Sequence, residues 1–276
     1  MSALEFERDE SRAGVLAVRA EWRTAARGLA LLAPGGLERW LADAPSGGSG
    51  RAATARVALP GGPQLVVRRL RHGGLLAPLL GDRYASPARV LRELDVTARL
   101  RAAGAPVAEP VLALARRRRI GFALALATVY EEGAADALAF LASSPDDERI
   151  ARAAAAVGAA LRRFHDTGGR HPDLHVKNLL LRETRAGADA LVIDLDRARA
   201  GDAPGAAQRA AEIGRLGRSL LKRGVAEQVG ERGAAAFLAA YCAGDRALRD
   251  ALVRRFPSER RKARLHALLY RERGRS

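Results

Sequence analysis

In a chain of 276 residues, 48% hydrophobic side chains are enough to build one large domain or two lobes, so the sequence is not that of a disordered protein. No apolar run reaches the roughly 18 residues that span a bilayer, the start "MSALEFERDESR" lacks the apolar core of a signal peptide, and the lone Cys242 excludes an internal disulfide or a cysteine zinc cluster. The net charge of +16, almost all arginine, favours an anionic partner, while the 4% aromatic content counts against the stacking platforms of single-stranded nucleic acid binding.

Residues 1–44 mix helical patterning with charge and hold both tryptophans, Trp22 and Trp40. A Gly-rich break, "APSGGSGR" (44–51), leads into "AATARVAL" (52–59), the turn "PGGP" (60–63) and "QLVVRRLR" (64–71). Two short runs around a Pro/Gly turn predict a β-hairpin. "HGGLLAPLLGDRYAS" (72–86) reads as a loop with apolar anchors. "SPARVLRELDVTARLRAAG" (86–104) predicts a helix: Ser86 caps it, Pro87 takes the first position, and Val90, Leu91, Leu94 and Leu100 recur at helical spacing before Gly104. "APVAEPVLALA" (105–115) and "IGFALALATVY" (120–130) predict a strand pair, with "RRRR" as a solvated turn. A short connection and helix follow at 131–144. The span 146–169 predicts a strong helix, acidic at its start, basic near its end and stopped by Gly168-Gly169. "NLLLRE" and "ALVIDLD" suit strands around a turn, and from about 204 onward the pattern is helical.

The chemistry concentrates in "HPDLHVKN" (171–178) and "VIDLDRAR" (192–199). Phosphoryl transfer needs a group beside the attacking hydroxyl and oxygen ligands that hold Mg²⁺ against phosphates. An Asp and an Asn five residues apart in one loop can divide those tasks, and a second Asp at the end of the next hairpin completes the set. The pattern H-R-D-x-x-x-x-N is matched by His171 through Asn178, with Ile193-Asp194-Leu195-Asp196 standing where D-F-G would be. Asp173 is thus the candidate catalytic residue, and Asn178 and Asp194 are the candidate Mg²⁺ ligands. His171 reads as a residue that holds the loop. The alternative, that these are ordinary turn and strand-end residues, leaves the order of the two motifs unexplained.

A kinase also needs a basic strand residue on the nucleotide phosphates, paired with a helix Glu. No Lys precedes Lys177, so an Arg must serve. In "LVVRRLR", strand alternation puts Arg68 and Arg69 on opposite faces. Arg68 follows Val66-Val67 as the Lys follows in V-A-I-K, and its candidate partner is Glu93. An Arg chelates phosphate oxygens through two donors, so the exchange is chemically tolerable. The Gly-rich stretch before the hairpin, with Gly48, Gly50 and Arg51, stands where phosphate-covering loops belong. "ATVYEE" (127–132) falls where the lobes should join, so Tyr130 and Glu131 are expected at the adenine of ATP.

At these residues the chain resembles the bacterial lipopolysaccharide core sugar kinases, the 3-deoxy-D-manno-octulosonic acid (Kdo) kinases in particular. "GSGRAATARVAL" is similar to that family's first hairpin. "VVRRLRHGGLLAPLLGDRY" is similar to its Arg-bearing strand with a Gly-Gly-Leu loop. "RELDVTARLRAAGAPVAEPVLA" is similar to its helix and strand entry, and "HPDLHVKNLLL" and "VIDLDRAR" to its catalytic and metal loops; the likeness covers roughly residues 47–200. The resemblance implies an α+β, bilobal protein-kinase-like fold. Its small lobe, 1–130, would be an antiparallel sheet with one key helix, and its larger lobe, 131–276, mostly helical. It implies ATP- and Mg²⁺-dependent phosphorylation of a sugar hydroxyl in the inner core of lipid A. Leu195 departs from the family in standing where an aromatic is more usual. The implied partner is an anionic glycolipid at the cytoplasmic face of the bacterial inner membrane, with no nucleic acid. The tail "RRFPSERRKARLHALLYRERGRS" (254–276), with nine Lys/Arg and two Glu, suits peripheral contact with that membrane. A small-molecule phosphotransferase of the aminoglycoside type and a basic scaffold on a decayed kinase fold are the competing readings.

Overall fold

The structure is a computed structural model that describes residues 5–42, 46–47, 54–71 and 81–254. The expectations placed on Gly48, Gly50, Arg51, the Gly-Gly-Leu loop and the basic tail beyond Arg254 lie outside the described residues. The chain divides into two compact units, one of residues 1–102 and 108–132, the other of 103–107 and the residues from 133. Among the described residues no helix is long and apolar enough to cross a membrane.

The first unit begins with a strand pair, β1 (Phe6–Ser11) and β2 (Gly14–Arg19), where helical patterning was expected. The physical reason lies in "GVLAVR". Its residues are buried on both faces of a sheet, which removes the polar side that an amphipathic helix would show. β1 is the charged edge strand, and its Asp9 takes both guanidinium donors of Arg27, at 2.7 and 2.9 Å. Two short helices follow, α1 (Arg23–Gly28) and α2 (Gly36–Trp40). Then come β3 (Ser46–Gly47), β4 (Thr54–Ala58), β5 (Gln64–Arg69), the helix α3 (Ala88–Ala102), β6 (Pro110–Arg117) and β7 (Phe122–Val129). All seven strands form one antiparallel sheet in the order β1-β2-β6-β7-β5-β4-β3.

Period-two alternation sorts the side chains of this sheet onto two cores. Leu16, Val18, Leu65, Val67, Leu112 and Leu114 face one side, where Trp22 and Trp40 pack beside them. Ala17, Ala113, Ala115, Leu124 and Leu126 face the other, against Val90 and Leu94 of α3. The alanines of β6 keep that second face shallow, so the helix seats close to the strands. Arg68, next to Val67, therefore projects on the α3 side.

The second unit holds β8 (Ala134–Asp136), α4 (Ala137–Ala142), α5 (Asp147–Asp166), β9 (Gly169–Arg170), β10 (Leu179–Thr184), β11 (Gly187–Val192), β12 (Arg199–Ala200), α6 (Ala206–Lys222) and α7 (Ala226–Cys242), the last kinked at Gly230. The Asp146 side chain caps α5 by accepting the N–H of Arg149 at 2.8 Å. β10 pairs with β11 on one side and β8 on the other, and β9 pairs with β12.

The β9–β12 ladder directly precedes the loop at 171–178 and depends on a glycine. Gly168 has φ +85°, and a Cβ there would run into the carbonyl oxygen of Gly201. Gly168→Ala is expected to cost about 2–5 kcal/mol, from left-handed strain plus the forced separation of the two strands, as read by urea unfolding.

Candidate active site

In the first unit, the Arg68 guanidinium makes an ion pair with the Glu93 carboxylate. Glu93 is 1% exposed and Arg68 is mostly covered, so the pair is desolvated. Alternation along β5 and the i, i+3, i+4 stripe of α3 put both residues on the facing sides of strand and helix. Tyr130, just past β7, donates its backbone N–H to Gln64 O at 2.8 Å, and the Arg56 guanidinium lies 3.9 Å from its ring centroid. Glu131 follows it, half-buried.

The second unit brings Asp173, Asn178 and Asp194 into one hydrogen-bonded framework. Leu174 and Val176 are buried and pin the loop to the core, leaving the Asp173 side chain exposed. Asn178 is buried, and its Nδ2 donates to Asp173 O at 3.0 Å. This bond spans the five-residue separation and fixes the distance between the two motif positions. The Asn178 carbonyl accepts the N–H of Ile193 at 2.9 Å, which ties the loop to the residue before Asp194. Asp194 is exposed, with φ 59° and ψ 62°. Left-handed backbone is uncommon outside glycine but is visited by Asp, and here it turns the chain sharply out of β11.

His171 holds this framework from below, as its sequence position suggested. It is buried, with Nε2 3.2 Å from Ile193 O, so Nε2 carries the hydrogen that donates to that carbonyl. Burial pushes its pKa below the ordinary 6.5, which keeps the ring neutral.

Three residues outside the motifs complete the support: Glu212 of α6, His165 of α5 and Tyr241 of α7. Glu212 Oε2 accepts the backbone N–H of His171 at 2.8 Å and faces His165 Nε2 at 3.2 Å. Burial alone would raise the Glu212 pKa, but the bonds from His165 and His171 outweigh it and hold the carboxyl below its ordinary value. The sign follows directly. Stability from Glu212 is fully present above pH 4.5, the ordinary value, and is lost as the pH falls through the lower folded value. Glu212→Gln should therefore flatten the fall of thermal midpoint below pH 4.5, as measured by scanning calorimetry. Sequence reading passed over Glu212 because it lies 41 residues beyond His171 in a helix without a motif. His165 stood out only as a residue near the end of the helix predicted over 146–169.

The second unit also contains an apolar cavity of about 480 Å³. Among the described residues its walls come from α4 to α7, β10 and Val176 of the 171–178 loop, with Phe140, Val157, Leu179, Leu216 and Phe237 among them, and Arg218 is the sole charged one. No single stretch of sequence marks it, because each helix contributes only one face.

With this geometry in place, comparison with known proteins identifies the family. Residues 40–241 match the model of the lipopolysaccharide kinase (Kdo/WaaP) family. The 3-deoxy-D-manno-octulosonic acid kinase of Actinobacillus succinogenes is 28% identical over 166 residues, covering 58% of this chain and 67% of that protein. The corresponding kinase of Xanthomonas oryzae pv. oryzae is 30% identical over 190 residues, covering 66% of each. The alignments thus span about two thirds of these relatives' lengths. Among solved structures, WaaP in complex with acyl carrier protein has a TM-score of 0.54 at 20% identity, over 89% of this chain and 92% of that one. This likeness bears out the protein-kinase-like α+β fold expected from the sequence. As the core sugar kinase expected from its motifs, with ATP as phosphoryl donor, the chain belongs to the lipopolysaccharide kinase (Kdo/WaaP) family.

Proposed function

We propose that the chain transfers the γ-phosphoryl group of ATP to a hydroxyl of Kdo in the inner core of lipopolysaccharide, with Asp173 as the group that receives the hydroxyl proton. As that proton moves to the Asp173 carboxylate, the sugar oxygen bonds to the γ-phosphorus, the bond from γ-phosphorus to the bridging oxygen breaks, and ADP departs. The observation that carries this reading is the bond from Asn178 Nδ2 to Asp173 O, which fixes the two motif residues in one rigid loop.

The donor set suits Mg²⁺. With Nδ2 committed to Asp173, the amide oxygen of Asn178 is the atom left for a cation, and Asp194 supplies an exposed carboxylate. The bound ion would supply charge neutralisation at the phosphate oxygens. On the nucleotide side, Arg68 held by Glu93 would grip phosphate oxygens, Gly48, Gly50 and Arg51 would cover them, and the backbone at Tyr130 and Glu131 would meet adenine. The +16 charge and the basic tail favour peripheral binding of the cytoplasmic face of the inner membrane, where an anionic glycolipid acceptor lies.

The test is Mg²⁺-dependent ATP turnover with Kdo-lipid A as acceptor. Phosphorylated Kdo-lipid A is the expected product. ATP–Mg²⁺ binding without any phosphorylation of that acceptor would overturn the choice of sugar, and absence of nucleotide binding would overturn the site assignment.

A second binding function is favoured by the 480 Å³ cavity. Its walls suit a linear acyl chain, and an acyl carrier protein is a partner that would present one. Co-purification of acylated but not unacylated acyl carrier protein with the chain would support this, and equal retention of both forms would count against it.

A further inference from the structure

A continuous set of buried contacts runs from the cavity to the catalytic loop, all inside the second unit. Phe237 lines the cavity and stacks on Tyr241, with ring centroids 5.8 Å apart and planes 13° from parallel. Tyr241 is fully buried, and its hydroxyl lies 2.6 Å from His165 Nδ1. His165, also fully buried, faces Glu212 Oε2 through Nε2 at 3.2 Å. That carboxylate oxygen receives the His171 N–H at 2.8 Å. A carboxylate only accepts, so Nε2 of His165 carries the hydrogen, which leaves Nδ1 as the acceptor for the Tyr241 O–H. The tyrosine hydroxyl thereby fixes both the tautomer and the ring orientation that the Glu212 contact requires. Close packing makes the set stiff. At Gly158 of α5 a Cβ would collide with the Phe237 carbonyl oxygen, so α5 and α7 have no slack between them.

We propose that Tyr241 is a positioning residue for phosphoryl transfer, acting through His165 and Glu212 on the loop at 171–178. The proposal rests on the catalytic assignment of Asp173. The nucleotide contacts at Arg68 and Glu93 are not part of this set, so the effect belongs in kcat rather than in the KM for ATP.

Wild type and Tyr241→Phe, a change that keeps the ring and removes the hydroxyl, would each be assayed for kcat and for KM for ATP. Tyr241→Phe should lower kcat roughly three- to tenfold with KM for ATP unchanged. Hydrogen exchange gives a second readout that needs no acceptor and so does not depend on the choice of sugar or on Asp173. The amides of residues 171–174 should exchange faster in Tyr241→Phe than in wild type. An unchanged kcat in a folded Tyr241→Phe protein overturns the positioning role. Unaltered exchange at residues 171–174 in the variant overturns the route through His165 and Glu212.

Discussion

Asp173→Asn should lower kcat by about a hundredfold to ten-thousandfold, the range that a positioned proton acceptor contributes, while the fold and the binding of ATP persist. The Asp173 side chain is exposed, so its replacement opens no cavity and strands no buried group. Its backbone carbonyl still receives the Asn178 amide, so the loop keeps its shape. What disappears is the carboxylate proposed to accept the proton. Asn178→Ala should behave differently. It removes both the Nδ2 bond and the amide oxygen proposed to face the ion, so it should reduce the thermal midpoint as well as kcat. Measuring kcat, ATP binding and thermal midpoint on both variants separates the two roles. A fully active Asp173→Asn protein would remove Asp173 from the chemistry.

How far the sequence could be read depended on whether a feature was local. The helix over α3, the hairpin of β4 and β5 and the long helix α5 carried their own caps, turns and periodicity, and the structure has them within a few residues. The contact of Arg68 with Glu93 was readable because strand alternation and helical spacing each constrain one partner. The N-terminal strands were not readable. β1, "FERDES", is a charged edge whose carboxylates pair with arginines of the following helix, and β2 is short and buried on both sides, so neither shows a clean alternation. The residues that support the loop at 171–178 were also hidden. Glu212 and Tyr241 lie in helices that read as ordinary amphipathic surfaces, and only the packing of α5 against α6 and α7 brings them to His165. The cavity shares that origin, since no one segment contains it.

The second large effect concerns Arg68, where stability and function should separate. Arg68→Ala leaves the carboxylate of Glu93, 1% exposed, without this cation, and breaking one side of a buried pair costs about 3–5 kcal/mol. A loss of activity in that variant would therefore be ambiguous. Arg68→Lys should recover much of the stability, because the charge remains, but only part of the phosphate grip, because an ammonium lacks the two-pronged donor geometry. The decisive protein is the double variant Arg68→Met with Glu93→Met. Replacing both members of a buried pair by apolar side chains of similar volume is often neutral for folding, so its urea midpoint should return close to wild type. Its KM for ATP should not, since neither a cation for the phosphates nor the carboxylate that orients it would be present. A raised KM on a restored fold would show that the pair serves nucleotide binding. A double variant with both normal stability and normal KM for ATP would mean that Arg68 and Glu93 only join strand to helix, and the phosphates would have to be held by another residue.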